Sequence, residues 1–577
     1  MMPPMVRQAV ATTRARVGAG MVAALLLVLL VWSWPGRAPA TPTVPISAAG
    51  LPQGHVYTGI AEEPNDLNPF LTTGAVARRY VLGFTHDTLL DTEPVDGKLR
   101  PALARAYRLH EDGRTVDFEL RPEVVFADGE PVTPADVLFT WEVARTPDLV
   151  LGTIREGLAL IESATLLEGP PPTLRVVLRN QHFAAVQAVG ESWVVTQRRH
   201  WLRRIAELAA QDRLEPVPLP GQPGFGALLT RLSAETGPGS GPYAIPADDA
   251  TGGPGLRPGI DLRLVRNELC WRRHEHPGSW NLGGIRLLFQ SPQAAFTALL
   301  GGEIDWYSFP DSAKLLDLRP ELRARYTRHI YDARHLGLHV VVWNCRRPVL
   351  QDPRVRRALG MLFDRSGIVE RLLDGCGKPA AAFGKLGSPE YPALAPLPYD
   401  LAQARALLRE AGHDRQDGQP LQLQVLTSGV VGRQIADLLV DTGKKIGVAL
   451  DLRVVEWTAL TKAVGQHDFD AVIRMQGFRN WVDPFDTFHS TGGLNDAGWQ
   501  NADADRLLEQ ARVELDAGRR AALYRRFHEL VAREQPMALL VHVLAPVLID
   551  ARLQNATPGP LGLWPERFWM PVEHQRR

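Results

Sequence analysis

Residues 99–142 read LRPALARAYRLHEDGRTVDFELRPEVVFADGEPVTPADVLFTWE. Glu111-Asp112-Gly113-Arg114 is a turn, because Asp and Gly tolerate left-handed backbone. Val116, Phe118 and Leu120 alternate with polar neighbours, the period of a half-buried strand. Asp128-Gly129 marks a second turn. Thr133-Pro134-Ala135-Asp136 opens a helix: Thr caps, Pro takes the first position and Asp reaches back as a capping box. Ahead of the first turn, residues 99–110 read as a helix-like lead-in. The whole stretch is thus a lead-in, a tight turn, two strands and a capped helix.

The fixed offsets in this stretch carry more than local structure. Pro101-x-Leu103-Ala104, Asp112-Gly113, Phe118-x-Leu120-Arg121-Pro122, Val125-Phe126, Asp128-Gly129-x-Pro131 and Ala135-Asp136-Val137 resemble the signature of the extracellular solute-binding proteins of the peptide/nickel-binding family, family 5. Members of that family serve ABC importers. The resemblance continues through Gly239-Ser240-Gly241-Pro242-Tyr243, Asn267-x-x-Cys270-Trp271 and Gly302-Glu303-Ile304-Asp305. A second block spans Asn344-x-Arg346-Arg347-Pro348, Asp352-Pro353-Arg354-Val355-Arg356-Arg357-Ala358-Leu359 and Asp364-Arg365, and looks nearest to the oligopeptide branch. It implies an α/β, two-lobed periplasmic-binding-protein-like fold of class II type. An extra domain would sit in the N-terminal lobe and the ligand cleft between the lobes. The expected division is 55–83, 239–333 and 542–577 for lobe I, 84–238 for its extra domain, and 334–541 for lobe II.

Composition agrees with a large globular chain. Its 577 residues exceed one ordinary core. Hydrophobic and charged contents of 45% and 22% are unremarkable for such a chain, and 64 basic residues balance 64 acidic ones. This argues against nucleic acid or an anionic membrane surface as partner. Arg7, Arg14 and Arg16 precede an apolar run to Trp34, and Ala38-Pro39-Ala40 follows. That pattern reads as a secretory signal peptide over 1–40, with an uncleaved membrane anchor as the other reading, and a linker over 41–54. The three cysteines, Cys270, Cys345 and Cys376, read as structural or free, although Cys345 and Cys376 could pair.

Along the rest of the chain, residues 55–60 and 336–343 read as strands, and 160–178 as a hairpin. Residues 201–238, with Pro216, Pro218, Pro220 and Pro223, read as an irregular surface excursion. Asp352, Asp364 and Tyr399-Asp400 open helices, and 421–473 read as strand, helix, strand, strand with part of the sheet parallel. A last long helix follows Asp516.

No enzymatic motif emerges. His335 and His339 sit in a strand-like run, where i and i+4 lie about 13 Å apart by strand rise. Zinc needs both ligands at about 2 Å from one ion. His274-Glu275-His276 lacks a third ligand nearby. Gly-rich phosphate loop, nucleophile elbow and Cys-x-x-Cys are all missing. The expectation is a protein with no cofactor, no metal and no catalytic residues.

The sharpest functional stretch is Gln476-Gly477-Phe478-Arg479-Asn480-Trp481-Val482-Asp483-Pro484. It resembles the family's Gly-Trp-x-x-Asp-x-x-Asp-Pro loop at the ligand groove, one residue shorter. Asn480 or Trp481 stands where the family has the Asp that meets a peptide's amino group. The resemblance makes Arg479, Asn480, Trp481 and Asp483 candidate ligand residues, with Glu62 after the first strand. Core packing remains open for Trp481, and a solvated surface acid for Glu62. The implied function is capture of a peptide or peptide-like solute by a monomer that delivers it to an ABC permease and ATPase complex. A periplasmic interaction or chaperone-like protein without transport is the alternative.

Export with removal of the first segment makes a direct expectation. Protein from the periplasmic fraction should begin near Thr41 by N-terminal sequencing, whereas intact Met1 in the membrane pellet would establish the anchor.

Overall fold

The computed structural model describes residues 54–73, 77–94, 96–152, 154–246, 255–309, 312–332, 337–413, 420–477, 483–559 and 562–575. The expected signal segment, most of the linker, His335, Arg479, Asn480 and Trp481 lie outside the described residues.

The stretch that opened the sequence reading builds a four-stranded antiparallel sheet, in the order Ala104–Leu109, Thr115–Leu120, Thr173–Leu178, Ile161–Leu167. The lead-in is therefore extended, not helical. Leu99–Pro101 pairs with Leu90–Thr92, and Ala104–Leu109 is the hairpin partner of Thr115–Leu120, with Tyr107 opposite Phe118. Helix propensities of Ala, Leu and Arg are worth only tenths of a kcal/mol per residue. Pairing that buries Ala104, Val116, Phe118 and Leu120 in one core outweighs them. The second expected strand is only an isolated bridge between Val125 and Pro131. The helix Pro134–Ala144 starts as read, with both halves of the Thr133/Asp136 capping box made. The expected excursion at 201–238 is also corrected. Arg198–Gln211 and Phe225–Thr230 are helices, and Trp201, Ile205, Phe225 and Leu229 are buried in the same core. The prolines occupy only the link between those helices.

A six-stranded sheet has the order Gly377–Pro379, Met537–Val543, Leu338–Trp343, Ala471–Gln476, Leu421–Thr427, Val448–Val454. Leu338–Trp343 is buried at every position, as a central strand covered on both faces must be. Leu421–Thr427 is parallel to both its neighbours, as expected. Among the helices not anticipated are Trp457–Gly465, between strands Val448–Val454 and Ala471–Gln476, and Ala502–Val513. Asp352, Asp364, Asp400 and Asp516 each cap a helix as read.

A second mixed sheet pairs Val56–Ile60 in parallel with Gly284–Leu288, which is antiparallel to Asp261–Arg266. A three-stranded sheet places Ala545–Asp550 between Trp306–Tyr307 and Tyr326–Tyr331. The chain passes between this small sheet and the six-stranded one twice: from Tyr331 to Leu338, and from Val543 to Ala545 across Leu544 alone. The three cysteines are free.

Two buried guanidinium groups tie the helices of the six-stranded body to its sheet. Arg356, only 2% exposed, donates to the carbonyls of Leu350, Gln351, Glu534 and Gln535. Arg365 donates to Gly360, Phe363, Leu397 and Leu539, and burial lowers its pKa to about 10. Replacing Arg356 by Met removes the donor from four carbonyls at once, those of Leu350 and Gln535 buried and those of Gln351 and Glu534 partly so. Arg356→Met should cost about 3–5 kcal/mol, read as a lower thermal midpoint, while Arg356→Lys should recover part of it.

Candidate functional site

The site is best found from strand directions. Leu421–Thr427, Val448–Val454 and Ala471–Gln476 run parallel, so their carboxyl ends share one edge of the sheet. Leu338–Trp343 is antiparallel to Ala471–Gln476 and to Met537–Val543, so the start of the first and the end of the last lie on that same edge. The two crossings to the small sheet therefore leave from the edge that carries the strand carboxyl ends. In open α/β sheets ligands bind outside that edge. Large apolar side chains stand exposed there: Val430 at 74%, Trp457 at 59% and Met475 at 46%. The expected ligand loop leaves from the end of Ala471–Gln476 and returns at Asp483.

Asp483 is the member of that loop with described contacts. Its carboxylate accepts from Arg512 Nε at 2.7 Å, His182 Nε2 at 3.3 Å, the Tyr524 hydroxyl at 3.4 Å and the Phe485 amide at 3.1 Å. His182 Nδ1 accepts from the Ala184 amide at 3.1 Å, so the ring carries its proton on Nε2 and aims it at Asp483. Burial alone would raise the Asp483 carboxyl, but the hydrogen bonds from His182 and Arg512 win and hold it below the usual range. Burial, with Asp483 adding to it, pushes the Tyr524 hydroxyl up and keeps it a donor.

These donors come from two bodies. His182 follows strand Thr173–Leu178 of the four-stranded sheet. Arg512 and Tyr524 belong to helices packed on the six-stranded sheet. The same junction holds more. The Phe183 amide donates to the Arg512 carbonyl at 2.9 Å, Gln181 Nε2 reaches the Val513 carbonyl, and the Arg520 guanidinium lies 4.6 Å from the centre of the Phe183 ring. Gln181–Phe183 is thus a peg seated in the other body, with Asp483 at its base. Asp483 is occupied by protein donors. Glu62 is exposed on the loop after Val56–Ile60, where its neighbour Glu63 accepts from the Gly259 amide. Nothing local in the sequence pointed to His182, which meets Asp483 across 301 positions.

Among the described residues, no group of three or more His, Cys, Asp or Glu could hold a metal ion, and no helix is long and apolar enough to cross a membrane. The family model "Bacterial extracellular solute-binding proteins, family 5 Middle" matches residues 98–499. The chain belongs to that family. It is 24% identical over 518 residues to the oligopeptide-binding protein AppA of Bacillus subtilis, covering 86% of this chain and 88% of that one. It is 26% identical over 522 residues to protein XP55 of Streptomyces lividans, covering 85% and 83%. The AppA structure, in complex with a nonapeptide, overlays with a TM-score of 0.70 at 21% identity, covering 90% of this chain and all of that one. NikA of Brucella suis in complex with Fe(III)-EDTA overlays at 0.71 and 19%, again covering 90% and 100%. The solute-binding protein thus has the two-lobed α/β fold of its family.

The Asp483 contacts give this family 5 protein a pH signature. The folded carboxyl titrates below its unfolded value of about 4, so the stabilisation is complete above that value and fades as pH falls through the folded one. Asp483→Asn should lose about 1–3 kcal/mol near neutrality, and its melting deficit against wild type should shrink on acidification. A deficit unchanged down to acid pH would show that packing, not charge, carries the contact.

Proposed function

We propose that the chain is the exported, substrate-binding component of an ABC importer. It takes up a peptide or peptide-like solute between two lobes and presents the closed form to the permease and ATPase complex. The observation that carries this reading is the sheet edge just described. Strand carboxyl ends, exposed apolar side chains and both chain crossings share it, in a chain of the solute-binding family.

Lobe I comprises residues 55–83, 239–333 and 542–577, its extra domain 84–238, and lobe II 334–541. Two adjacent crossings allow rotation of one lobe on the other, and a solute that touches both lobes stabilises the closed arrangement. The protein performs no covalent step, so its working cycle is capture, closure and release. A peptide fits because relatives named for peptides recur, among them the oligopeptide-binding proteins AppA and OppA of Bacillus subtilis and the murein peptide-binding protein MppA of Escherichia coli.

Within this reading Trp481 walls the solute, Arg479 and Asn480 offer polar contacts beside it, and Asp483 braces the loop from below. Glu62 faces them from lobe I. An aromatic wall presents large area with little rotamer entropy to lose. Native mass spectrometry of the purified protein identifies the solute that travels with it. Trp481→Ala should then weaken binding of that solute by about 2 kcal/mol or more in calorimetric titration, with the melting curve unchanged. A sharp fall in melting temperature with full affinity in the folded fraction would place Trp481 in the core.

A further inference from the structure

Tyr57 and Gly59 lie two apart on strand Val56–Ile60 and therefore face the same side. The Trp306 indole lies flat against Gly59, so closely that a Cβ there would collide with the ring. Tyr80 stacks on Trp306 with centroids 6.2 Å apart, and the Arg79 guanidinium sits 5.2 Å from the centre of the Tyr80 ring. Tyr331 completes the group, with its hydroxyl toward Arg79. The floor is dry: Tyr57 is 2% exposed and Trp306 6%. Arg79, Tyr80 and Tyr331 are only half-buried and form the mouth.

Three polar atoms of this pocket are unanswered. The Tyr57 hydroxyl, Trp306 Nε1 and Arg79 Nε are buried atoms without a hydrogen-bond partner. Arg79 touches one carbonyl, that of Leu563 at 3.5 Å, and no carboxylate among the described residues lies within ion-pair distance of it. Burial, reinforced by Tyr80 and Asp305, keeps Tyr57 protonated and hence a donor. Arg79 donates to the Tyr331 hydroxyl, but its Nε, the Tyr57 hydroxyl and Trp306 Nε1 are donors left over, a set that a planar monoanion would answer. Position agrees. Tyr331 pairs with Ala545, the first strand residue past the crossing, so the mouth opens at the edge where the two sheets join.

We propose that Arg79, Tyr57, Trp306 and Tyr331 form a pocket for a carboxylate group of the solute. This deepens the reading above, from solute-binding protein to one that takes a carboxylate-bearing solute, and rests on it only for the source of that carboxylate.

The test uses the full chain with 15N-labelled tryptophan, the Trp306 indole resonance being assigned by its loss in Trp306→Phe. Acetate titrated against chloride at constant ionic strength should move that resonance saturably. Arg79→Gln should abolish the movement, Arg79→Lys should restore part of it, and Tyr57→Phe should weaken acetate without altering the melting curve. In a second arm, tri-alanine as the free acid should bind about tenfold more tightly than its C-terminal amide, as expected for a lost charge-assisted contact, and Arg79→Gln should erase that difference. Acetate binding that needs Arg79, beside no binding of either tri-alanine form or equal binding of both, keeps the pocket and assigns it to a small organic acid rather than a peptide terminus. Absence of a saturable acetate response, or the same response in Arg79→Gln, overturns the proposal.

Discussion

Between Val543 and Ala545 the chain leaves one sheet and enters another with only Leu544 between them. Leu544 is itself held, its amide donating to the Cys376 carbonyl at 3.1 Å. The other crossing joins the strand ending at Tyr331 to the strand beginning at Leu338. Tyr326–Tyr331 pairs with Ala545–Asp550 on one side, and Leu338–Trp343 pairs with Met537–Val543 on the other. Two crossings side by side define an axis. They permit rotation about it and resist sliding, because sliding would break the registers on both sides. On the six-stranded side both crossings leave from the edge that carries the strand carboxyl ends, from which, on the proposed reading, the ligand loop springs.

The peg at Gln181–Phe183 is the opposing constraint. It joins bodies that the chain itself connects only through the rest of the fold, and it does so with charge, aromatic packing and backbone hydrogen bonds together. The six-stranded body must be stiff enough to receive it. Arg356 and Arg365 supply that stiffness by filling buried carbonyl clusters at the ends of helices Pro353–Gly360 and Ala517–Glu534 and beside strand Met537–Val543. A guanidinium is suited to this, since its planar fork satisfies several acceptors from one buried position.

What the sequence disclosed divides by range. Helix starts were legible at Thr133, Asp352, Asp364, Asp400 and Asp516, because a cap is settled within four residues. The turn at Asp112-Gly113 was legible for the same reason, and so was the hairpin after residue 160. Residues 99–110 were misread because Leu, Ala and Arg favour a helix locally, while a strand already fixed by Val116, Phe118 and Leu120 offered a better partner. Residues 201–238 were misread because a proline cluster hid the buried stripe of Trp201 and Ile205 beside it. In the site, the ligand loop could be located by its motif, but not what lies beneath Asp483. Likewise Tyr57, Arg79, Trp306 and Tyr331 are scattered over more than 270 positions and share no motif. Only the fold brings them together.

Asp483 and Arg79 show how charge satisfaction separates two roles near one cleft. Both are charged groups taken largely out of water, and such a group is stable only when its partners are in place. Asp483 has four donors, from both bodies, so its charge is spent inside the protein and its effect is on geometry. Arg79 has an aromatic face, the Tyr331 hydroxyl and one long carbonyl contact, and its Nε has no partner. Adding a protein acceptor there would have stabilised the fold. On the carboxylate-pocket proposal, an arriving anion supplies the missing acceptor. One charge is therefore answered inside the protein, and on the proposal above the other is left for an arriving solute.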